Sequence, residues 1–368
     1  MATYLITGGR GFIGRALVQD LAASGATVRI LDSLVEQVHG ASPPPAREDV
    51  EFLQGDLRDP GAVDRALEGV DGVFHLAAEV GVGQSMYEIA RYVAANDLGT
   101  AVLLEGLLRR PVRRLVVASS MSIYGEGLNL DAEGARAAPT RRQPRDLRAG
   151  RWAPIDAQGR PLEPAPTDEA TPPDLASIYA LTKYAQERAC LIFGGAYETE
   201  AVALRLFNVF GPGQALSNPY TGVLANFGSR LVHGARPTVF EDGNQTRDFV
   251  HVRDVARAFR LAMERPEAAG QAINIGAGRA YSIADVATML ARAMGAPELE
   301  PEILGRFRAG DIRHCFADIT RAREVLGYAP EHALEDSLDE LVEWIRAEKS
   351  EDRGPQMRRE LEARGLVS

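Results

Sequence analysis

Residues 7–14 of the chain are Thr7-Gly8-Gly9-Arg10-Gly11-Phe12-Ile13-Gly14, and this stretch decides the fold. It follows a short apolar run and opens a segment whose apolar residues recur at helical spacing. Glycines have no Cβ, so the backbone can turn tightly and approach a pyrophosphate, while the following helix N-terminus offers free N–H groups. The pattern predicts a dinucleotide-binding loop, with cofactor contacts at Gly8, Gly11, Phe12, Ile13 and Gly14.

A carboxylate lies at the end of the second predicted strand, where a dinucleotide-binding loop usually has one. This carboxylate is Asp32, 18 residues beyond Gly14. It is placed to accept hydrogen bonds from the adenosine ribose, and its charge would repel a 2′-phosphate. This favours NAD over NADP. Arg10 and Arg29 leave an alternative open, since either could in principle pair a 2′-phosphate.

Strands and helices alternate through the first third of the chain. The predicted strands span residues 4–6, 27–31, 50–53, 72–76 and 115–118. Helices are predicted between them, one over 60–67 with Asp59 as its N-cap and a longer one over 87–108. The alternation implies an α/β fold of the Rossmann type, a doubly wound parallel sheet. Ligands bind at the carboxyl ends of such strands, which are followed by Gly8, Asp32, Asp56, Ala77 and Ser120.

The rest of the chain is predicted to add a smaller lobe. We expect a cofactor-binding core over 1–170, then core elements interleaved with a C-terminal α/β substrate lobe over 171–345, and a charged tail over 346–368. Residues 127–166, called the insertion below, are rich in arginine, proline and alanine and show no periodicity, which predicts an irregular surface segment. A ligand could order it, and it could act as a lid. The tail is predicted to be a solvated or frayed helix.

Composition excludes several classes of partner. The formal net charge is −10, from 41 basic and 51 acidic residues, so nucleic acid and anionic membranes are poor partners. No stretch approaches the ~20 apolar residues of a membrane helix. The N-terminus does not resemble a signal peptide, and the two cysteines are expected to be reduced thiols in a cytoplasmic protein. The six histidines show no ligand spacing, so no metal is expected.

A second motif predicts proton transfer. Tyr179 and Lys183 lie four residues apart on a helix predicted over 178–193, hence on one face. A free tyrosine has a pKa of about 10 and is a poor base. A lysine ammonium one turn away, together with a positively charged nicotinamide ring, would lower that pKa. Ser120 ends the fifth strand and can bind the same substrate hydroxyl, so we predict Ser120, Tyr179 and Lys183 as the catalytic group.

These motifs occur in the order found in a known family. From about Tyr4 to Pro330 the chain resembles the extended short-chain dehydrogenases/reductases, specifically their NAD-dependent nucleotide-sugar epimerase and dehydratase branch. The stretches that carry this resemblance, besides residues 7–14 and 179–183, are 55–57, 75–78, 96–100, 119–125, 204–212 and 247–254. Residues 119–127 and 213–220 further resemble dTDP-L-rhamnose 4-epimerase-like proteins.

The resemblance implies roles for further residues. Asp56 and Leu57 would contact adenine, and Ala77, Ala78, Asn96 and Ser119 would lie along the cofactor. Ser120, Ser122 and Asn208 would meet the nucleotide-diphosphate sugar, and Arg247 and Arg308 would clamp its diphosphate. Guanidinium forks match phosphate oxygens, and a net-acidic protein needs such a cluster. The family's dimerisation through two long helices implies a homodimer formed by the helices over 87–108 and 178–193.

The motif after the catalytic serine favours one reaction. Dehydratases and decarboxylases of the branch usually carry an acid between that serine and the next tyrosine, whereas this chain has Met121 and Ser122 before Tyr124. Without an acid, elimination lacks its general acid. Oxidation at C4 followed by re-reduction on the opposite face needs only the catalytic group and a retained cofactor, so we expect a 4-epimerase. A 4,6-dehydratase, a decarboxylase, a 4-ketoreductase and a non-catalytic NAD-binding regulator are the alternatives.

Overall fold

A parallel sheet organises the chain in the computed structural model, which describes residues 2–40, 47, 49–138, 141–218, 220, 222–348 and 351–367. Seven strands among these residues form the sheet in the order β12-β8-β5-β4-β1-β2-β3, and all its pairings are parallel. The predicted Rossmann-type fold is confirmed. The strands of the described residues are β1 Thr3–Thr7, β2 Thr27–Asp32, β3 Glu51–Gln54, β4 Gly72–His75, β5 Arg114–Ser120, β6 Leu128–Leu130, β7 Glu163–Ala165, β8 Glu200–Leu206, β9 Asn208–Phe210, β10 Thr238–Val239, β11 Thr246–His251, β12 Ala272–Ile275, β13 Ala280–Ser282, β14 Glu302–Ile303 and β15 His314–Cys315.

Helices cover both faces of this sheet, and most begin near their predicted starts. Asp59 caps α3, since its carboxylate accepts the Gly61 N–H at 2.9 Å. The α-helices of the described residues are α1 Phe12–Ala23, α2 Glu36–His39, α3 Pro60–Ala66, α4 Val82–Ser85, α5 Ile89–Tyr92, α6 Gly99–Arg109, α7 Pro144–Arg148, α8 Ile178–Ala196, α9 Val223–Val232, α10 Val252–Glu264, α11 Ile283–Ala293, α12 Leu338–Ala347 and α13 Gly354–Ala363.

The helix predicted over 87–108 is not regular. It begins at Ile89, and a π-helical turn over Val93–Leu98 joins α5 to α6. Such turns are rare and often lie at functional sites. This one brings Asn96 to the buried side of the helix, where it is fully enclosed.

Alternating side chains of the central strands fill two cores. In β1, Leu5 packs with helices α3, α6 and α8 on one face, while Ile6 packs with α1 and α10 on the other. Both side chains are fully buried, and burial of one such side chain contributes roughly 1.5–3 kcal/mol. The order β3-β2-β1-β4-β5 reverses direction between β1 and β4. The glycine loop after β1 therefore lies at the switch point where such sheets bind ligands.

A smaller lobe packs beside the carboxyl ends of the strands. Strand β11 pairs with β9, β13 and β15, while β10 pairs with β14. Phe227, Phe249, Leu290 and Ile345 belong to the separate core that joins this lobe to helices α9, α11 and α12. The proposed limits of the cofactor-binding core, the lobe and the tail, at 170 and 345, stay predictions.

The insertion is more ordered than its sequence predicts. Strands β6 and β7 pair in antiparallel fashion at its base, with Leu128 opposite Ala165, and α7 lies between them. Arg142 is buried and reaches Glu126 at 2.6 Å and Glu241 at 2.8 Å. The ion pairs of Arg142 and the isolated buried side chains of Leu147 and Leu162 hold this segment, which explains why no period is visible. Residues 139 and 140 of the insertion lie outside the described residues.

The tail also differs from its prediction as a solvated or frayed helix. Met357 and Leu361 of α13 are buried, and with Val367 they pack against Tyr87, Tyr220 and Phe240. Two apolar residues four apart give the helix one buried face. Residues 349 and 350, and Pro219 of the 213–220 stretch, lie outside the described residues. No helix in the described part of the chain has the length and apolar character needed to cross a bilayer.

Candidate active site

One large cavity, with a volume of about 1510 Å³, runs between the carboxyl ends of the sheet and the lobe. Every site residue predicted from the sequence lines it except Asn96. The predicted residues that do so are Gly8, Gly11, Phe12, Ile13, Gly14, Asp32, Asp56, Leu57, Ala77, Ala78, Ser119, Ser120, Ser122, Tyr179, Lys183, Asn208, Arg247 and Arg308. No described residue of the insertion lines this cavity, and its role as a lid stays a prediction.

Close backbone contacts explain the glycines of the loop. Gly8 has a φ of 71°, and a Cβ there would lie 2.8 Å from the Ala77 nitrogen. A Cβ on Gly14 would lie 2.5 Å from the Gly8 carbonyl oxygen. Helix α1 begins after Gly11 without a side-chain cap, and the residues of its first turn, Phe12, Ile13 and Gly14, line the cavity. This geometry suits a pyrophosphate.

Asp32 lies beside this loop as a charged carboxylate. It accepts the backbone N–H of Arg10 and that of Leu34, each at 2.9 Å, and His39 lies 3.5 Å away. Burial raises the pKa of Asp32, but His39 and the two N–H donors outweigh it and leave the pKa below its usual value. Arg29 is not available to a 2′-phosphate, because it pairs with Glu51 and with backbone carbonyls away from the cavity.

Ser120 and Tyr179 both line the cavity. Ser120 is the last residue of β5, and its Oγ accepts the Ser122 N–H at 3.2 Å. Burial raises the pKa of Tyr179, and a hydrogen bond with Ser120 offsets part of this rise. The chain alone therefore keeps Tyr179 protonated at neutral pH. The lowering expected from the sequence would need the positive charge of a bound nicotinamide.

Lys183 is held one turn further along α8. Its ammonium donates to the Gln186 Oε1 at 2.7 Å. Burial lowers the pKa of Lys183 to about 8, although Cys190 and Glu187 act to raise it. Gln186 is missing from the sequence prediction, and its only signal is its position on the same helical face as Tyr179 and Lys183.

Asn96 does not reach the cavity, contrary to the sequence prediction. Its Oδ1 accepts the Glu79 N–H at 2.7 Å, and its Nδ2 donates to the Thr182 Oγ1 at 2.9 Å. The π-helical turn directs Asn96 towards the chain that follows β4. Asn96 therefore holds the Ala77–Glu79 backbone against α8 from behind.

The other end of the cavity carries an arginine cluster, defined by Arg247, Arg308 and Asp311. The buried guanidinium of Arg247 donates to the carbonyl oxygens of Thr246, Ile312 and Arg313, and lies 3.5 Å from the Asp311 carboxylate. Arg308 donates to the same carboxylate at 2.9 and 3.1 Å, and its guanidinium stacks 4.7 Å above the Phe240 ring.

Buried oxygen atoms in the cavity have no partner among the described residues. They are Ser122 Oγ, Asn208 Oδ1 and Gln245 Oε1, and all three residues line the cavity. Buried polar atoms are normally hydrogen bonded, so these atoms indicate a polar ligand. Gln245 is absent from the sequence prediction because a lone glutamine carries no motif. The described residues show no cluster of three or more His, Cys, Asp or Glu side chains suited to a metal, and the absence of a metal stays a prediction.

The sequence of the chain that forms this cavity matches a known family. Residues 4–146 and 156–276 match the NAD dependent epimerase/dehydratase family. The chain belongs to this family. The predicted resemblance and the prediction of an NAD-dependent enzyme are thereby confirmed, and the glycine loop and Asp32 are the parts of the cavity that fit NAD.

Individual nucleotide-sugar epimerases match the chain over nearly their whole length. A dTDP-L-rhamnose 4-epimerase of Burkholderia thailandensis is 38% identical over 94% of this chain and 95% of its own. The solved UDP-glucose 4-epimerase of Thermotoga maritima with UDP-glucose has a TM-score of 0.76 at 30% identity, covering 94% of this chain and 99% of its own. That of Thermus thermophilus in complex with NAD has a TM-score of 0.75 at 28% identity, covering 94% and 100%.

Proposed function

We propose that the chain is an NAD-dependent nucleotide-sugar 4-epimerase. One observation carries the proposal: Ser120 and Tyr179 line a single cavity, with the glycine loop and the arginine cluster at its two ends. A dinucleotide on the loop and a nucleoside diphosphate on the arginines would meet at this pair. The cavity volume exceeds the range of about 300–1,000 Å³ that is usual for one small ligand, which suits two ligands.

The residues support a reaction at one carbon. Bound NAD supplies a hydride acceptor that later returns the hydride. Tyr179 takes the proton of the C4 hydroxyl, Ser120 binds the same oxygen, and Lys183 stabilises the phenolate with its positive charge. The 4-keto sugar then rotates within the site. Tyr179 returns the proton to the C4 oxygen as hydride is returned to the opposite face of C4. Net atoms and electrons are unchanged, so no second substrate is needed.

The preferred substrate is a dTDP-linked 6-deoxyhexose. The similarity to the dTDP-L-rhamnose 4-epimerase of Burkholderia thailandensis supports dTDP-L-rhamnose as the first candidate. The stretch Ser120-Met121-Ser122-Ile123-Tyr124 supports epimerisation over dehydration, because no acid follows the catalytic serine. Another nucleotide sugar of a related bacterial pathway remains the alternative substrate.

The test is direct incubation. Purified protein with no added cofactor is mixed with dTDP-, UDP-, GDP- and ADP-sugars, and products are followed by NMR. We expect a C4 epimer of unchanged mass and no net NADH, and a loss of 10²-fold or more in the Tyr179→Phe variant. Loss of water or carbon dioxide would identify a dehydratase or a decarboxylase, and turnover only with added NADPH would identify a ketoreductase. Retained NAD without turnover of any sugar would support a regulator.

We also propose a homodimer formed by the helical run 89–109 and α8. These helices lie side by side, and Leu98, Leu181 and Ile192 on them are about half exposed or more. Large exposed apolar surfaces mark interfaces. Light scattering should give twice the chain mass, and Ile192→Glu should give monomers. Ile303→Glu, at an exposed apolar residue of the lobe, should not.

Cytoplasmic location and the domain limits are further proposals. Cys190 and Cys315 are free and buried, which suits a reducing compartment. Limited proteolysis near residues 170 and 345, and fractionation of the source cells, would test the two proposals.

A further inference from the structure

The C-terminal segment, residues 351–367, forms one wall of the cavity. Helix α13 and the residues after it contribute Met357, Arg358, Leu361 and Leu366 to the lining. The facing residues include Thr238, Phe240 and Arg308 of the lobe. The segment therefore lies at the arginine end of the cavity, where the nucleotide sugar is proposed to bind.

The end of the segment is joined to the chain that carries Arg308. The Ala309 N–H donates to the Leu366 carbonyl at 2.8 Å, and Arg308 and Val367 form an antiparallel bridge. The backbone on both sides of the Arg308 side chain is thus tied to the C-terminal segment. This contact fixes the position from which the Arg308 guanidinium reaches Asp311 and Phe240.

The middle of the segment is anchored independently. Glu360 accepts a hydrogen bond from the Tyr220 hydroxyl at 3.1 Å, and the Tyr87 hydroxyl lies 2.6 Å from that of Tyr220. Met357 and Leu361 pack on the same tyrosines. Two anchors of this kind give α13 a defined face towards the cavity.

Arg358 lies on that face, and no carboxylate of the described residues forms an ion pair with it. Its Nη2 donates instead to the Thr238 Oγ1 at 3.0 Å. By contrast, Arg308 pairs with Asp311 and Arg353 pairs with Glu351. Thr238 is two residues from Phe240, on which Arg308 stacks. Arg358 and Arg308 therefore approach the same strand edge.

We propose that the C-terminal segment is part of the nucleotide-sugar site, and that Arg358 donates to an oxygen of the nucleotide portion. A guanidinium that lines a cavity and has only a neutral hydroxyl as its partner among the described residues suits an acceptor oxygen, either on the diphosphate or on the base. Met357, Leu361 and Leu366 would cover the same portion with apolar surface. The inference rests on the proposed function, because it takes a nucleoside diphosphate sugar as the ligand.

The experiment compares Arg358→Gln with Arg359→Gln. Arg359 is the exposed neighbour on the same helix, so its variant has the same charge change without reaching the cavity. We measure dissociation constants for dTDP by calorimetry, bound NAD by absorbance, and thermal unfolding. Arg358→Gln should weaken dTDP binding about tenfold or more and raise KM with little change in kcat. Arg359→Gln should match wild type, and both variants should keep NAD and melting temperature.

Two further probes locate the contact. If Arg358→Gln weakens the binding of inorganic pyrophosphate as much as that of dTDP, Arg358 contacts the diphosphate. If it weakens the binding of thymidine as much as that of dTDP, Arg358 contacts the base. Equal dTDP affinity in Arg358→Gln and wild type would overturn this inference alone. If wild type binds none of dTDP, UDP, GDP and ADP, the proposed function fails instead. Arg358→Lys, which keeps the charge, should recover part of the loss if the phosphate is the partner.

Discussion

Lys183 donates a 2.7 Å hydrogen bond to the side-chain oxygen of Gln186. The orientation of this amide is fixed, because its nitrogen donates to the Thr100 Oγ1 at 2.9 Å and lies 3.2 Å from the His75 Nε2. Burial lowers the pKa of Lys183 to about 8. A hydrogen bond to the ammonium favours its charged form, so Gln186 keeps that pKa from falling further.

Replacement of Gln186 by Leu should therefore slow the enzyme in a pH-dependent way. Without its acceptor, Lys183 loses its proton at lower pH, and the phenolate of Tyr179 loses its stabilising charge. For a fall of about one unit in the pKa of Lys183, we expect kcat to fall about fivefold at pH 8, and we expect the ratio of wild-type to variant kcat to shrink at pH 6.5, where Lys183 is mostly protonated in both. One pKa unit corresponds to about 1.4 kcal/mol. The exposed Gln158→Leu serves as control, and a ratio independent of pH would contradict this role.

The sequence predicts the cofactor half of the site because its determinants are local. Residues 7–14 contain the turn, the close approach and the helix start within one short stretch, and Asp32 follows at a fixed distance. Each feature depends on chain neighbours or on the ends of adjacent parallel strands. The structure therefore brings Gly8, Gly14 and Asp32 to one cavity as expected.

The features that the sequence does not predict depend on distant partners. Arg142 of the insertion reaches Glu241, 99 positions away, and Glu360 of the tail reaches Tyr220, 140 positions away. A local periodicity in the sequence does not indicate which distant residues will pair. Asn96 differs for another reason: its cofactor contact is implied by the family resemblance, whereas the π-helical turn that contains it directs its side chain to the Glu79 backbone.

Gly14→Ala should remove the cofactor without unfolding the protein. The new Cβ would lie 2.5 Å from the Gly8 oxygen and 2.6 Å from the Gly9 Cα, and these backbone atoms cannot move without opening the loop. We expect purified variant with little or no NAD, measured by chromatography after acid release. Gly195→Ala is the matched control, because a Cβ there meets open space within a helix. Wild-type NAD content in Gly14→Ala would refute the close contact.

Both thiols should be unreactive in the native protein. Burial raises the pKa of Cys190 to about 12, and it does the same for Cys315. The thiolate reacts rather than the thiol, so at pH 8 almost none of either residue is in the reactive form. Ellman's reagent should label no cysteine before unfolding and two in guanidinium chloride, since the chain has two. Fewer than two after unfolding would indicate a disulfide, and rapid native labelling would contradict the burial.

Arg142→Met should destabilise the protein and weaken substrate binding together. Its guanidinium is buried between Glu126 and Glu241, and it also donates to the Asp311 carbonyl at 3.1 Å. Its removal leaves the buried Glu126 with no ion-pair partner among the described residues and leaves Glu241 with Arg313 alone, which costs about 3–5 kcal/mol of unfolding free energy. Because the Asp311 backbone loses a support, KM for the nucleotide sugar should rise while NAD stays bound. Arg145→Met, at an exposed arginine of α7, should change stability by less than about 0.5 kcal/mol. If denaturant unfolding finds the two variants equally stable, the insertion is not held by this ion pair, and its ordering needs another cause.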